Sequence, residues 1–420
     1  MEKENIAIVG GGISGLSVAK CLNNDFRVKV FEKDSRPGGL VKCDRINGNL
    51  YHKVGGHVFN SRRQDVLDWF WQFFNRDIEF SKAVRNSSIY MPDGKYIAYP
   101  IENHIYMMEE PVIKSIISDI LSIVKNECPE PANLEEFLYY RFGDTLYKYY
   151  FQPYNEKIWR KDLKKVPLSW LGGKLPMPTP EEIIYNNFNH VKEMNMVHST
   201  FFYPKNNGSQ FLADRLAGGT DIAYNIGITL MERTNNVWLI NGEAFDKLIF
   251  CGNVKDLPRI IKGIDISSFT SSVEALEYHG TTSVLCEIDE NPFNWVYLPN
   301  RNYLAHRVIC TGNFAKSNSV GKKLTATIEF TDYISEEDID KQLQQIPFTP
   351  KHLAHSYTQY TYPIQNEDTR EMLGRLKELV LKDNLYLLGR FAEWEYYNMD
   401  AAMGAAIDLS KQIRQMLLSN

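Results

Sequence analysis

The 420-residue chain has no long apolar run, no block of basic residues and no closely paired cysteines, and each absence removes a class of function. Its most apolar helical stretch, about 111–124, carries Lys114 and Asp119 and is too short to span a bilayer. The formal net charge of −5 supplies no field for a polyanion, and no Lys/Arg cluster reads as a basic arm. Nucleic acid is therefore not expected as a partner, and any anionic ligand must be held by a few local cations. Six cysteines, Cys21, Cys43, Cys128, Cys251, Cys286 and Cys310, lack C-x-x-C spacing. They read as reduced, buried thiols of a cytoplasmic protein, with no metal among them. Met-Glu-Lys-Glu-Asn runs directly into an apolar strand without a charged-then-apolar leader. There is no internal repeat or low-complexity tract, and 44% hydrophobic with 24% charged residues excludes disorder and leaves room for two or three domains with cores of their own.

What is present starts at Ile6, where an apolar strand enters the glycine-rich turn Gly10-Gly11-Gly12-Ile13-Ser14-Gly15, and a second strand, Val28–Phe31, ends at Glu32-Lys33. This is the layout of a dinucleotide-binding βαβ unit. Gly10 permits the turn, Gly12 lets the backbone approach a pyrophosphate, Gly15 allows close helix packing, and the helix N-terminus offers N–H groups to phosphates. Glu32 is placed to accept from an adenosine ribose. Next comes Arg36-Pro37-Gly38-Gly39-Leu40, which on its own is a Pro-Gly turn. In this position it resembles the second glycine pair of amine-oxidase-like flavoproteins, which implies FAD rather than NAD.

Three textures alternate along the chain. A helix with apolar spacing at Val66, Leu67, Trp69 and Phe70 precedes a hairpin, Ser88–Met91 with Tyr96–Tyr99, turned at Pro92-Asp93-Gly94. About 105–165 reads as helical, and its aromatic face of Phe137, Leu138, Tyr139, Phe142, Leu146 and Tyr149 reads as bundle core. Residues 227–251 read as a meander, with strands Ile228–Met231, Val237–Ile240 and Lys247–Cys251 separated by Asn-Asn and Asn-Gly turns. A second strand-rich region covers 282–332. A final helix from about 400 carries Ala401, Ala402, Gly404, Ala405 and Ala406, small residues that permit close approach.

Five interior segments occur in a telling order: Val54-Gly55-Gly56-His57; Tyr99-Pro100; Pro153-Tyr154-Asn155-Glu156-Lys157-Ile158-Trp159; Trp295-Val296-Tyr297-Leu298-Pro299; and Gly389-Arg390 through Tyr396-Tyr397-Asn398-Met399-Asp400. Together they resemble the UDP-galactopyranose mutase family from residue 4 to about 410, mixing features of its bacterial and eukaryotic branches. The resemblance implies an α/β fold: a Rossmann-type FAD-binding domain (1–84 with 208–265 and 375–420), an inserted helical bundle (104–168), and an antiparallel β-sheet substrate domain (85–103 with 169–207 and 266–374). It also implies an isomerase that interconverts pyranose and furanose forms of a UDP-hexose without net oxidation. N5 of reduced FAD attacks the anomeric carbon, UDP departs, and the covalent flavin-sugar adduct opens, recloses and is displaced by UDP. The galactofuranose product would feed a surface polysaccharide, and the family makes a homodimer plausible.

Carried over by position, His57 would lie against the isoalloxazine, although a His after two glycines is also a common loop hydrogen-bonder. Tyr154 would stack on uracil and Trp159 border the sugar, with Asn155 between. Read without the resemblance, Tyr154 and Trp159 are helix core, but their five-residue spacing does not repeat one face and turns one of them toward a cleft. Arg307 matches the diphosphate arginine, and Lys174, in Gly172-Gly173-Lys174, stands where the family has a second arginine, on a loop able to close. His57, Arg307 and Lys174 would thus form the catalytic set. Tyr99, Tyr297, Tyr362 and Tyr396 would supply phenols to phosphate or sugar, four of 24 tyrosines in the chain. Arg390, Tyr397, Asn398, Met399 and Asp400 would lie along the flavin.

Four positions depart from the family: Lys174, His198, Phe314 and Glu102. His198 takes the place of an asparagine, Phe314 that of a phosphate-contacting tyrosine and Glu102 that of a glutamine. All four fall on the substrate side, so the flavin side is better kept than the sugar side, and a related sugar such as an N-acetylated galactose derivative stays open. Two other readings stay open: an amine-oxidase-class FAD oxidoreductase, which would have no use for Tyr154, Trp159 and Arg307 together, and a UDP-sugar-binding paralogue with altered or lost turnover.

Overall fold

Ile6, Ala7 and Ile8 are each 0% exposed, so the strand Asn5–Val9 is covered on both faces, as the interior of a parallel sheet requires. The structure is a computed structural model that describes residues 3–126, 129–168, 178–191 and 197–419. Five parallel strands lie in the order Leu385–Leu387, Lys247–Phe250, Asn5–Val9, Arg27–Phe31, Asp221–Ala223. The strand at Lys247 does return to the sheet that begins the chain. Helix Ile13–Leu22 lies against the last helix, Met399–Ser419, with Leu16, Ala402, Met403 and Ile407 in one apolar cluster. The carboxyl ends of four strands bring Gly10, Glu32, Cys251 and Leu388 to one edge, the place where open α/β sheets bind ligands.

A seven-stranded sheet runs Lys351–Pro363, Tyr278–Ile288, Leu324–Thr331, Ala305–Ile309, Trp295–Tyr297, Ser87–Tyr90, Tyr96–Ala98. The resemblance implied an antiparallel sheet, and one contact departs from it: Trp295–Tyr297 pairs parallel with Ser87–Tyr90. Between them the chain passes through the helical region and the five-stranded sheet and returns by way of Tyr278–Ile288, so no hairpin forces them antiparallel. That region contains helices Glu110–Lys125, Leu134–Leu146 and Gln152–Trp159, with a π turn at Tyr147–Phe151. Of the expected aromatic face, Phe137, Leu138, Phe142 and Leu146 are buried, whereas Tyr139 is 43% exposed. The helix breaks at Gly143, φ 79°, where Asp119 accepts the freed Thr145 N–H at 2.7 Å.

The meander is also shifted. Its first strand is Met231–Thr234 rather than Ile228–Met231. Asn235 and Asn236 have φ of 46° and 62°, a two-residue turn that pairs Thr234 with Val237 and leaves 228–230 outside the ladder. An additional strand, Glu243–Phe245, follows the Asn-Gly turn. The described cysteines are free thiols: Cys43, Cys286 and Cys310 are buried, and Cys21 and Cys251 partly so. Among the described residues no helix is long and apolar enough to cross a membrane.

Candidate active site

The N-terminus of helix Ile13–Leu22 has no side-chain cap and no acid in its first turn, so its leading N–H groups face outward at the carboxyl edge of the sheet. Packing dictates the glycine at Gly15, where a Cβ would fall 2.0 Å from the Gly10 carbonyl oxygen. The second glycine pair comes back onto this turn: Gly38 N–H donates to Gly11 O at 2.9 Å, and a Cβ on Gly39 would sit 3.3 Å from Gly12 Cα. Gly389, following the edge strand, faces Ser14. Glu32 is buried and already holds backbone, with Oε2 accepting from Gly11 N–H at 2.6 Å and Oε1 from Asp34 N–H at 2.9 Å. Any further donor must use its remaining lone pairs. Lys33 is exposed.

His57 is half-buried with Nε2 3.1 Å from Leu40 O. A carbonyl only accepts, so Nε2 carries the proton and Nδ1 is left as an acceptor. Burial, with the neighbouring His52 and Arg390 charges adding, holds His57 down to about 3, hence neutral. Arg390 donates from Nη1 to Thr361 O at 2.9 Å and from Nε to Tyr397 O at 3.0 Å, which ties the strand carrying Tyr362 to the Tyr396–Asp400 segment. Met399 packs into the cluster with Ile13 and Leu16, whereas Asn398 is exposed. Burial raises the Asp400 carboxyl.

Beside this lies a cavity of about 210 Å³. Eight of the expected substrate residues line it: Tyr99, Tyr154, Asn155, Trp159, Tyr297, Arg307, Tyr362 and Tyr396. They come from the helical region, the seven-stranded sheet and the final loop. Both Tyr154 and Trp159 border it, where the spacing had turned only one of them toward a cleft. Trp159 is the last residue of its helix, followed by Arg160 at φ 48°, and it meets the cavity from the helix end. Burial raises the phenol pKa of Tyr154 and Tyr362 far above the ordinary value, so both remain donors.

Arg307 donates to Glu329 through Nε and to Tyr362 Oη through Nη2 at 3.0 Å. Burial alone would push the Glu329 carboxyl up. The Arg307 charge and hydrogen bonds from His306 and Arg307 outweigh it and hold Glu329 well below the usual carboxylate range. Glu329 Oε1 also accepts from Gly55 N–H at 2.8 Å, which links the Gly55-Gly56-His57 loop to the cavity.

Two of the positions read on the substrate side are not among the residues lining this cavity. His198 does not line the cavity: burial and the nearby Arg85 charge lower it to about 4. Phe314 is in the core between Trp295, Phe201 and Tyr203, with ring centroids 4.9, 5.7 and 5.1 Å away, and does not face the cavity. Glu102 does line it and is buried. Lys174 lies outside the described residues. Residues not anticipated are Glu329, Tyr150, His279, His306 and Gln365, together with Arg85, which donates to the Tyr297 hydroxyl and stacks 4.6 Å from the Trp295 ring centroid. A lone acid within the apolar Thr-Ile-Glu-Phe strand was the one available signal for Glu329.

Residues 8–76 match a family model described as an NAD(P)-binding Rossmann-like domain. A UDP-galactopyranose mutase of Mycoplasma genitalium is 23% identical over 97% of this chain and 94% of its own length. A dTDP-fucopyranose mutase of Escherichia coli is 23% identical over 97% of each. A solved structure of reduced UDP-galactopyranose mutase superposes with a TM-score of 0.88 at 19% identity, covering 99% of this chain and 95% of that one. The chain shares the fold of that structure, and along nearly its whole length it resembles the UDP-galactopyranose mutases.

Proposed function

We propose that the chain is an FAD-dependent isomerase that interconverts the pyranose and furanose forms of a nucleotide-linked hexose, with UDP-galactose as the leading substrate and no net redox change. One observation carries the reading furthest: Tyr154, Trp159 and Arg307 meet in one cavity with four tyrosines, and that cavity is joined through Glu329 to the Gly55-Gly56-His57 loop. A flat aromatic pair, a guanidinium and a ring of phenols suit a base, a diphosphate and a sugar in turn.

The residues present fit FAD. An uncapped helix N-terminus would receive the pyrophosphate, Gly12 and Gly39 pack against each other beside it with no side chain between, and the Gly389-Arg390 and Tyr397–Asp400 segments flank the same edge. When bound and reduced, FAD supplies the nucleophile for the anomeric carbon through N5. The chain does the rest. Arg307 orients a phosphate while Glu329 holds its Nε and Tyr362 its Nη2, so the guanidinium keeps a fixed direction. Tyr99, Tyr297, Tyr362 and Tyr396 donate hydrogen bonds to the departing diphosphate and exclude water from the sugar. His57 stays neutral and presents an acceptor to the flavin side. Lys174 would add the second positive charge on the diphosphate.

The test is anaerobic incubation of dithionite-reduced protein with UDP-galactopyranose, UDP-galactofuranose or dTDP-fucopyranose, with an oxidised control, resolving the products by chromatography. Ring-form exchange in the reduced samples alone is expected. Stoichiometric flavin reduction by a sugar substrate would instead indicate the oxidoreductase reading. Absence of exchange with tight UDP binding would indicate a binding paralogue.

A further inference from the structure

His352 and His355 open the strand Lys351–Pro363, and residues three apart in a regular strand face opposite sides of the sheet. Here the register slips: Cys286 pairs with His352 and Leu285 with Ala354, so Leu353 is an inserted residue. A bulge of this kind re-aims the side chains beyond it and brings His352 and His355 to one face. His352 Nε2 then lies 3.1 Å from His355 Nδ1. Glu336, in the first turn of helix Glu336–Leu343, completes a group in which one ligand atom from each residue lies within 4.8 Å of the others.

Asp340, one turn further along that helix, has Oδ1 3.0 Å from His352 Nδ1. A carboxylate accepts only, so the proton of His352 sits on Nδ1 and the lone pair points from Nε2 toward His355. A carboxylate behind an imidazole is the arrangement that orients metal-ligating histidines. The nitrogen separation also fits, because two ligands bonded tetrahedrally to zinc at 2.0–2.1 Å stand about 3.3 Å apart. We infer that His352, His355 and Glu336 form a zinc-class divalent metal site, with Asp340 as its positioning carboxylate.

Two imidazoles and one carboxylate favour zinc over magnesium or calcium, which take oxygen ligands. Three protein ligands leave a fourth position for water, as the exposure of Glu336 and His355 allows. The ion would clip helix Glu336–Leu343 to the strand at the sheet edge, across a connection in which Phe348 and Thr349 both have positive φ, 73° and 46°. Tyr362 reaches the cavity ten residues along the same strand, roughly 30 Å at strand rise, so this site is separate from the one above.

The experiment is calorimetric titration of Zn²⁺ into the full-length, metal-stripped protein, with thermal melts alongside. One equivalent should bind. His352→Ala and His355→Ala should each weaken it at least tenfold, and Asp340→Asn about tenfold. Zinc should raise the melting temperature of the wild type but not that of the His352→Ala/His355→Ala double variant, whose melting and flavin content without metal report that it folds. Substoichiometric uptake, equal affinity in the double variant, or Mg²⁺ binding as tightly as Zn²⁺ would overturn the assignment.

Discussion

Glu329 and Arg307 sit directly opposite each other on neighbouring antiparallel strands, and the second oxygen of Glu329 holds the Gly55 N–H. One buried carboxylate therefore fixes both the cation of the cavity and the glycine loop beside His57. Register partners on a strand pair touch side by side, so the pairing is a property of the sheet rather than of a flexible surface contact.

Replacing Glu329 with Gln keeps the shape and removes the charge, leaving Arg307 as a partly buried cation without its carboxylate. We expect a loss of about 2–3 kcal/mol in chemical denaturation, less than for a fully buried pair because Arg307 borders the cavity. The pH dependence has a definite sign. The folded carboxyl lies well below its unfolded value near 4.3, so its contribution is fully present above that value and is lost as pH falls through the depressed folded pKa. The gap between wild type and Glu329→Gln should be constant from about pH 5 to 8 and shrink in stronger acid. A gap that widens on acidification would refute this account.

His52 responds to acid at a milder pH. It is fully buried, with Nε2 2.8 Å from Tyr203 Oη and Nδ1 3.4 Å from Cys43 Sγ. Burial lowers it to about 4. Between that value and the unfolded value near 6.5, the unfolded chain takes up a proton that the folded chain refuses, so stability falls as pH is lowered. His52 alone should cost about 3 kcal/mol across that window, a product of the shift and the linkage relation. Urea midpoints measured from pH 7 to pH 5 should drop for the wild type and drop less steeply in His52→Asn, where the other histidines that burial lowers, among them His57 and His198, still contribute. An identical slope in the variant would exclude His52 as the cause.

The glycine cradle was legible in the sequence because its signals are local: turn, helix start and Glu32 all lie within one βαβ unit. The cavity was legible only through the resemblance, since residues from Tyr99 to Tyr396 meet across a sheet that no periodicity predicts. Glu329 escaped notice because its partner is 22 residues away in sequence and adjacent only through strand register. The metal group escaped for a related reason: His352 and His355 read as opposite-facing until the bulge at Leu353 is known.

Tyr154 separates stacking from hydrogen bonding. Its ring lies parallel to Tyr150 at 5.5 Å and edge-on to Tyr297 at 5.4 Å, so its orientation is set by neighbours. If the ring carries a uracil, Tyr154→Phe should leave UDP affinity within about twofold, and Tyr154→Ala should weaken it about tenfold, close to 1.4 kcal/mol. Titration calorimetry with UDP reads both. Equal losses in Phe and Ala would assign the contact to the hydroxyl.

Phe314 sets the resemblance against the geometry. The resemblance would put it where the family has a phosphate-contacting tyrosine, yet its ring is 3% exposed, and a Cβ on Gly56 would meet its Cε2 at 3.2 Å. A hydroxyl restored there would enter the aromatic core around Trp295, Phe201 and Tyr203. Phe314→Tyr should therefore cost about 1–3 kcal/mol of stability, the penalty for burying an ill-matched hydroxyl, and should change UDP affinity by less than twofold. If the variant instead bound UDP tenfold tighter, the ring would have to reach the diphosphate, which requires the Gly56 loop and the Phe314 segment to rearrange together when the nucleotide binds.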